Sequence, residues 1–141
     1  MSDFNWEEQA HGVLFRYAPE LAEAVTSASE YAFEMTNDHY GENKVDTYPM
    51  RNAIIKYLMG IHGIKDTYFN YCNINKIMHV HHKIFIKKLM CDPNNVEFGD
   101  FRNLTMLTPE ERCHVCILVM ETKKRVELLF FTKALSHLIN F

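Results

Sequence analysis

The clearest pattern in the first third of the chain places Leu21, Val25, Ala28, Ala32 and Met35 at alternating steps of four and three. That spacing is one apolar stripe of an α-helix, with Glu20, Glu23, Glu30 and Glu34 turned mostly outwards. Pro19 suits a first helical turn, so a helix is predicted over 19–38. Ala22, Ala24, Ala28 and Ala32 keep it slim enough for a neighbouring helix to approach closely. Ahead of it, Phe4 and Trp6 among acids, then Val13, Leu14, Phe15 and Tyr17, form either a short helix or a packing arm.

A polar connection over 41–46 leads to Pro49, again fitted to a helix start. Ile54, Ile55, Leu58, Met59 and Ile61 then predict about three turns of helix, ended by Gly60 or Gly63. Asp66 or Thr67 can cap a further helix reaching about residue 91, with a break near 73–75. Asp92-Pro93-Asn94-Asn95 is a turn, and 96–107 reads as a loop anchored by Phe98 and Phe101.

The last third opens with Thr108-Pro109-Glu110-Glu111, a capping box with proline where a missing N–H costs nothing. From Cys113 to Met120 the chain is apolar on every side, which predicts a helix at the centre of the core. An alternative pairs 115–120 with 126–131 as a β-hairpin, since Val, Ile and Phe also suit strands. The chain ends on Leu138, Ile139 and Phe141, so its last turn must dock on its own core or on a partner. The expected fold is mainly α: one compact domain over 1–141, about five or six helices, with a possible short hairpin near the C-terminus.

Composition supports a packed core. Of 141 residues, 48% are hydrophobic and 13% aromatic, which excludes a disordered chain. The net charge of −3 hides an asymmetry. Residues 1–49 carry ten carboxylates against Arg16 and Lys44, a local charge of −8. Residues 50–141 carry eight against thirteen Lys and Arg, a local +5. An acidic part and a basic apolar part favour association between oppositely charged surfaces, while the overall sign disfavours direct nucleic-acid binding. No secretory signal is visible, and Lys123-Lys124-Arg125 interrupts the best candidate for a membrane span. The four cysteines, Cys72, Cys91, Cys113 and Cys116, are therefore expected as thiols or metal ligands in a reducing, intracellular compartment.

Two constellations could carry chemistry. Projected as one continuous helix, 72–91 separates an apolar face, Ile74, Ile77, Met78, His81, Ile84, Phe85 and Leu89, from a basic one. On that reading His81 is partly buried, while His79 and His82 lie outside with Lys76, Lys83 and Lys87. The second is Cys113-His114-Val115-Cys116, whose thiols could grip one structural zinc if His79 with His82, or Cys91 with Cys72, supplied the other two ligands. The other reading leaves the cysteines as small core residues with no cofactor. Lys76, Lys83, Lys87 and the terminal Phe141 are the candidate partner-binding residues. No glycine-rich phosphate loop, G-x-S-x-G or H-E-x-x-H is present, so no catalytic residue is assigned and enzymatic activity is not expected.

Small size, an Asn-, Lys-, Met- and Tyr-rich character and the segment Glu110-Glu111-Arg112-Cys113-His114-Val115-Cys116 resemble the baculoviral RING/U-box-like family, which is associated with nucleocapsid assembly. The resemblance implies a non-enzymatic viral structural protein. Its partners would be other viral structural proteins or itself, and its location the host nucleus and the virion. Four cysteines and scattered histidines do not reproduce a RING cross-brace, so ubiquitin ligase activity is not expected. A second class of function is a helical host-interaction module of a large DNA virus, Bcl-2-like, binding a partner helix in a groove.

Overall fold

The structure is a computed structural model that describes residues 11–41, 47–105 and 107–139, leaving aside the side chains of 11 and 32–41. It is mainly α, as the periodicity predicts, with no strand among the described residues. Among the described residues seven α-helices follow in order: α1 (His11–Tyr17), α2 (Pro19–Gly41), α3 (Tyr48–Ile61), α4 (Ile74–Ile77), α5 (Val80–Cys91), α6 (Phe98–Arg102) and α7 (Pro109–Ile139).

α7 is the axis, and α1, α2, α3 and α5 all lie against it. Its capping box forms as the sequence requires. The Glu111 N–H donates to Thr108 Oγ1 at 3.2 Å, and the Thr108 N–H donates to Glu111 Oε2 at 3.0 Å. The helix then runs unbroken for 31 residues, which replaces the hairpin alternative. Helix formers Glu121, Lys123, Lys124 and Arg125 fill the supposed turn, and propensity there outweighs the β-branched content on either side.

Nor is α7 coated on every side. Val115, Leu118, Val119, Thr122, Val126, Leu129 and Thr132 are buried at helical spacing, whereas Met120, Phe131 and Leu138 stand exposed. Both buried threonines bond within the helix, Thr122 Oγ1 to the Leu118 carbonyl and Thr132 Oγ1 to the Leu129 carbonyl. Their hydroxyls therefore cost little in the core.

The first half of α7 shares a large apolar cluster with Ala53, Ile54 and Leu58 of α3, with Phe85, Ile86 and Met90 of α5, and with Leu104. Leu14, Ala22, Val25 and Leu129 are buried outside that cluster, where α1 and α2 meet the second half of α7. α3 ends in a Schellman arrangement: Ile64 N–H reaches the Met59 carbonyl and Gly63 N–H the Gly60 carbonyl, each at 3.0 Å. Gly63 takes the left-handed conformation that this stop needs, at φ +79°.

Two details differ from the sequence reading. α2 spans the predicted range, but its inward residues are Ala22, Val25 and Ser29, while Leu21 and Ala28 face outwards. The apolar stripe had two possible inward settings, and the polar bonds of Ser29 to α7 go with the second. The side chains of Ala32 and Met35 lie outside the described residues, as do 1–10, 42–46 and Phe141. The predicted loop 96–107 also contains α6, started by a reciprocal cap between Glu97 and Asp100.

Candidate functional site

The break in the fourth predicted helix sits later than 73–75. α4 stops at Ile77, Met78 is extended (φ −111°, ψ 130°), and His79 caps α5 by accepting the His81 N–H on Nδ1 at 3.3 Å. Two extended residues reset the helical phase, so the face of α5 is rotated by about one residue from the continuous projection. His82, Phe85, Ile86 and Met90 point inwards; His81 and Ile84 point outwards. The expected roles of His81 and His82 are thus exchanged.

That rotation builds a surface. Ile77, Val80 and Ile84 stand exposed, at 38%, 51% and 59% of full accessibility. Val80 and Ile84 share one side of α5 with Lys83 and Lys87 by helical spacing, Lys76 is exposed on α4, and the exposed His79 and His81 have rings stacked with centroids 4.9 Å apart. No Asp or Glu occurs between Asp66 and Asp92. Asp66 is held by Lys56 at 2.8 Å, and Asp100 takes up Lys88 at 2.7 Å. Bonds from the Glu97 N–H and from Lys88 hold the Asp100 carboxyl below its ordinary range. Lys83 donates to Asn75 Oδ1, and among the described residues Lys76, Lys83 and Lys87 form no ion pair. An apolar stripe edged by unneutralised ammonium groups attracts carboxylates and offers them something to pack beside.

Behind this face His82 is buried, with no hydrogen-bond partner for Nδ1. Burial, then the nearby His79 and His81, lower its pKa from the usual histidine value. The imidazole borders a void of ≈ 10 Å³ walled by Met50, Ile54, Leu104, Leu107 and Val115. Such a void is at the lower limit for a single water and admits no organic ligand.

The residues considered for zinc are not gathered. Among the described residues no group of three or more His, Cys, Asp or Glu side chains is placed to hold a metal. Cys113 is exposed and Cys116 half-buried on α7; His79 is exposed at the start of α5, and His82 faces the core. Burial, with Cys113 nearby, raises the Cys116 thiol pKa, which keeps it protonated and weakly nucleophilic at neutral pH. Of the predicted partner residues, Lys83 and Lys87 share one face of α5, Lys76 is exposed on α4, and Phe141 lies outside the described residues. Ile77, Val80 and Ile84 were missed because the continuous projection placed Ile77 and Ile84 in the core. Their signal was the Asn73, Asn75 and His79 run, which can cap and interrupt a helix.

Comparison with known proteins gives a consistent result. A family model described as PA26 p53-induced protein (sestrin) matches residues 1–139. The Sestrin homolog of Dictyostelium discoideum is 28% identical over 130 residues, covering 91% of this chain and 22% of that protein. Sestrin-1 of Mus musculus is 25% identical over 138 residues, 96% of this chain and 28% of its own length. Sestrin-2 of Homo sapiens is 25% identical over 142 residues, 95% and 28%. The chain spans about a quarter of the length of these curated relatives.

These matches overturn the baculoviral resemblance, and with it the nucleocapsid role, the viral structural partners, the host-nuclear and virion location, and the alternative of a viral groove binder. Length and composition are shared by unrelated small proteins, and one C-x₂-C segment was too short to distinguish families. No helix among the described residues is long and apolar enough to cross a membrane.

Proposed function

The chain belongs to the sestrin family, and from that premise we propose that it is a sestrin-like, stress-responsive protein that acts by docking a protein partner rather than by chemistry of its own. The observation that supports this reading is the outer face of α5, with Val80 and Ile84 exposed beside Lys83 and Lys87, next to the exposed Lys76 and Ile77 at the end of α4 in sequence. Each exposed isoleucine carries a hydrophobic cost that folding alone does not require, of order 1 kcal/mol or more. A partner covering the stripe recovers that energy, while the lysines select its charge. The stress-responsive part rests on the family description, which names a p53-induced protein.

Tagged wild-type chain and a Lys83→Glu/Lys87→Glu variant, expressed at equal levels in the source cells with and without genotoxic stress, test the proposal. Quantitative mass spectrometry of the captured proteins should show a discrete set present with wild type and depleted in the variant, and untagged chain should accumulate under stress. An identical set from both baits refutes the docking face, and abundance unmoved by stress refutes the stress-responsive role.

A further inference from the structure

The charge and shape of the outer face of α5 also specify what fits it. We infer that its occupant is an acidic segment of a partner protein, carrying apolar side chains at helical spacing that lie along Val80 and Ile84 while its carboxylates reach Lys83 and Lys87. This inference rests on the docking role proposed above and deepens it.

Three observations carry it. Val80 and Ile84 are four apart on α5, so their side chains form one ridge about one turn long. A ridge of that length matches two or three side chains of a partner helix and is too small for a broad apolar sheet. The cations lie beside the ridge: Lys83 precedes Ile84 and Lys87 stands one turn further along, so carboxylates flanking a partner's apolar stripe would meet both. The absence of any acid between Asp66 and Asp92 leaves this charge uncompensated by the face's own sequence.

Charge also weighs against an anionic membrane as occupant. Glu20, Glu23 and Glu30 are exposed on α2, and the chain as a whole carries −3. Such a molecule is attracted to an anionic lipid surface only within a short range of its basic face.

Fluorescence anisotropy with the full chain provides the test. The probe is a labelled 18-residue synthetic helix with leucine at i, i+3, i+4 and i+7 spacing and glutamate on both flanks; a second peptide carries lysine in place of every glutamate. The acidic probe should bind, weaken as salt rises, and lose about tenfold or more in affinity to Lys83→Glu/Lys87→Glu and to Ile84→Asp. All three substituted side chains are at least partly exposed, and circular dichroism melts verify that the variants remain folded.

Equal affinity for the acidic and lysine peptides, or for wild type and both variants, overturns the inference. So does binding to phosphatidylserine vesicles without binding to the acidic probe, or light scattering that shows the face occupied by a second copy of the chain. If cellular partners are lost on Lys83→Glu/Lys87→Glu while the acidic probe fails to bind, the docking role stands and only the identity of the occupant falls.

Discussion

Glu121 offers the sharpest test of how α2 is held. Its carboxylate is buried on α7, with the side chain 5% exposed. Ser29 of α2 donates its hydroxyl to Oε1, Arg125 Nε lies 3.0 Å from the same oxygen, and Lys124 Nζ lies 2.7 Å from Oε2. Lys124 also donates to Ser29 Oγ at 2.8 Å, so carboxylate, hydroxyl and ammonium close a ring between the two helices. Among the described side chains of α2, Ala22 and Val25 are the buried apolar ones, and the polar ring adds to them.

Glu121→Ala removes the acceptor that Ser29, Lys124 and Arg125 share. Breaking a fully buried pair costs about 3–5 kcal/mol, and an exposed pair about 0–1. Lys124 and Arg125 remain 28% and 20% exposed, so water recovers part of their solvation. The expected cost is therefore about 2–3 kcal/mol, or roughly 6–12 °C in Tm for a chain of this size. Ser29→Ala should cost about 1–2 kcal/mol, because a bond to a carboxylate is lost. The double variant should fall short of the sum by about 0.5 kcal/mol or more, since both changes disrupt one ring. Urea unfolding monitored by circular dichroism measures all three. A Glu121→Ala variant within about 0.5 kcal/mol of wild type, or strict additivity, refutes the ring as the tie between α2 and α7.

Three further outcomes follow from the same geometry. His82 has a lowered pKa in the fold, so the unfolded chain binds the proton more readily; stability is full above the ordinary histidine pKa of about 6.5 and declines as pH falls through it and down to the lower folded value. His82→Leu should flatten that decline without loss at neutral pH, as Nδ1 has no partner to lose; an unchanged pH profile argues against it. Timed iodoacetamide labelling read by mass spectrometry should modify Cys113 before Cys116, since one thiol is exposed and the other half-buried with a raised pKa, and the reverse order contradicts the placement. Thr108→Ala should lower stability by about 1 kcal/mol through loss of the α7 cap, whereas Thr108→Ser should be close to neutral in the same melt.

Local signals were legible in the sequence wherever chemistry and geometry coincide within a few residues. Thr108, Pro109 and Glu111 set the start of α7, Gly63 its own left-handed turn after α3, and Pro19 the start of α2. Helical phase was harder to read. α2 carries apolar residues on two faces, and nothing in Leu21, Val25 and Ala28 says which meets α7; the pairing of Ser29 with Glu121, 92 residues apart, decides it. On α5 a two-residue extension at Met78 and His79 turns the helix by about 100°, enough to exchange His81 with His82 and to expose Ile84. The candidate site was therefore half visible: its lysines were found, and its apolar ridge was concealed by a break placed a few residues too early. Family membership was not legible from the C-x₂-C segment, because it resides in weak similarity spread along residues 1–139.

On the proposed reading this sestrin-family chain meets its partner at the Val80–Ile84 face of α5. A photo-crosslinking amino acid placed at Ile84, with a control at the comparably exposed Phe131 of α7, tests this in the source cells. Position 84 should give a discrete crosslinked protein that disappears when Lys83→Glu/Lys87→Glu is added, and position 131 no such species. No specific product from position 84, or one that survives both charge reversals, contradicts it.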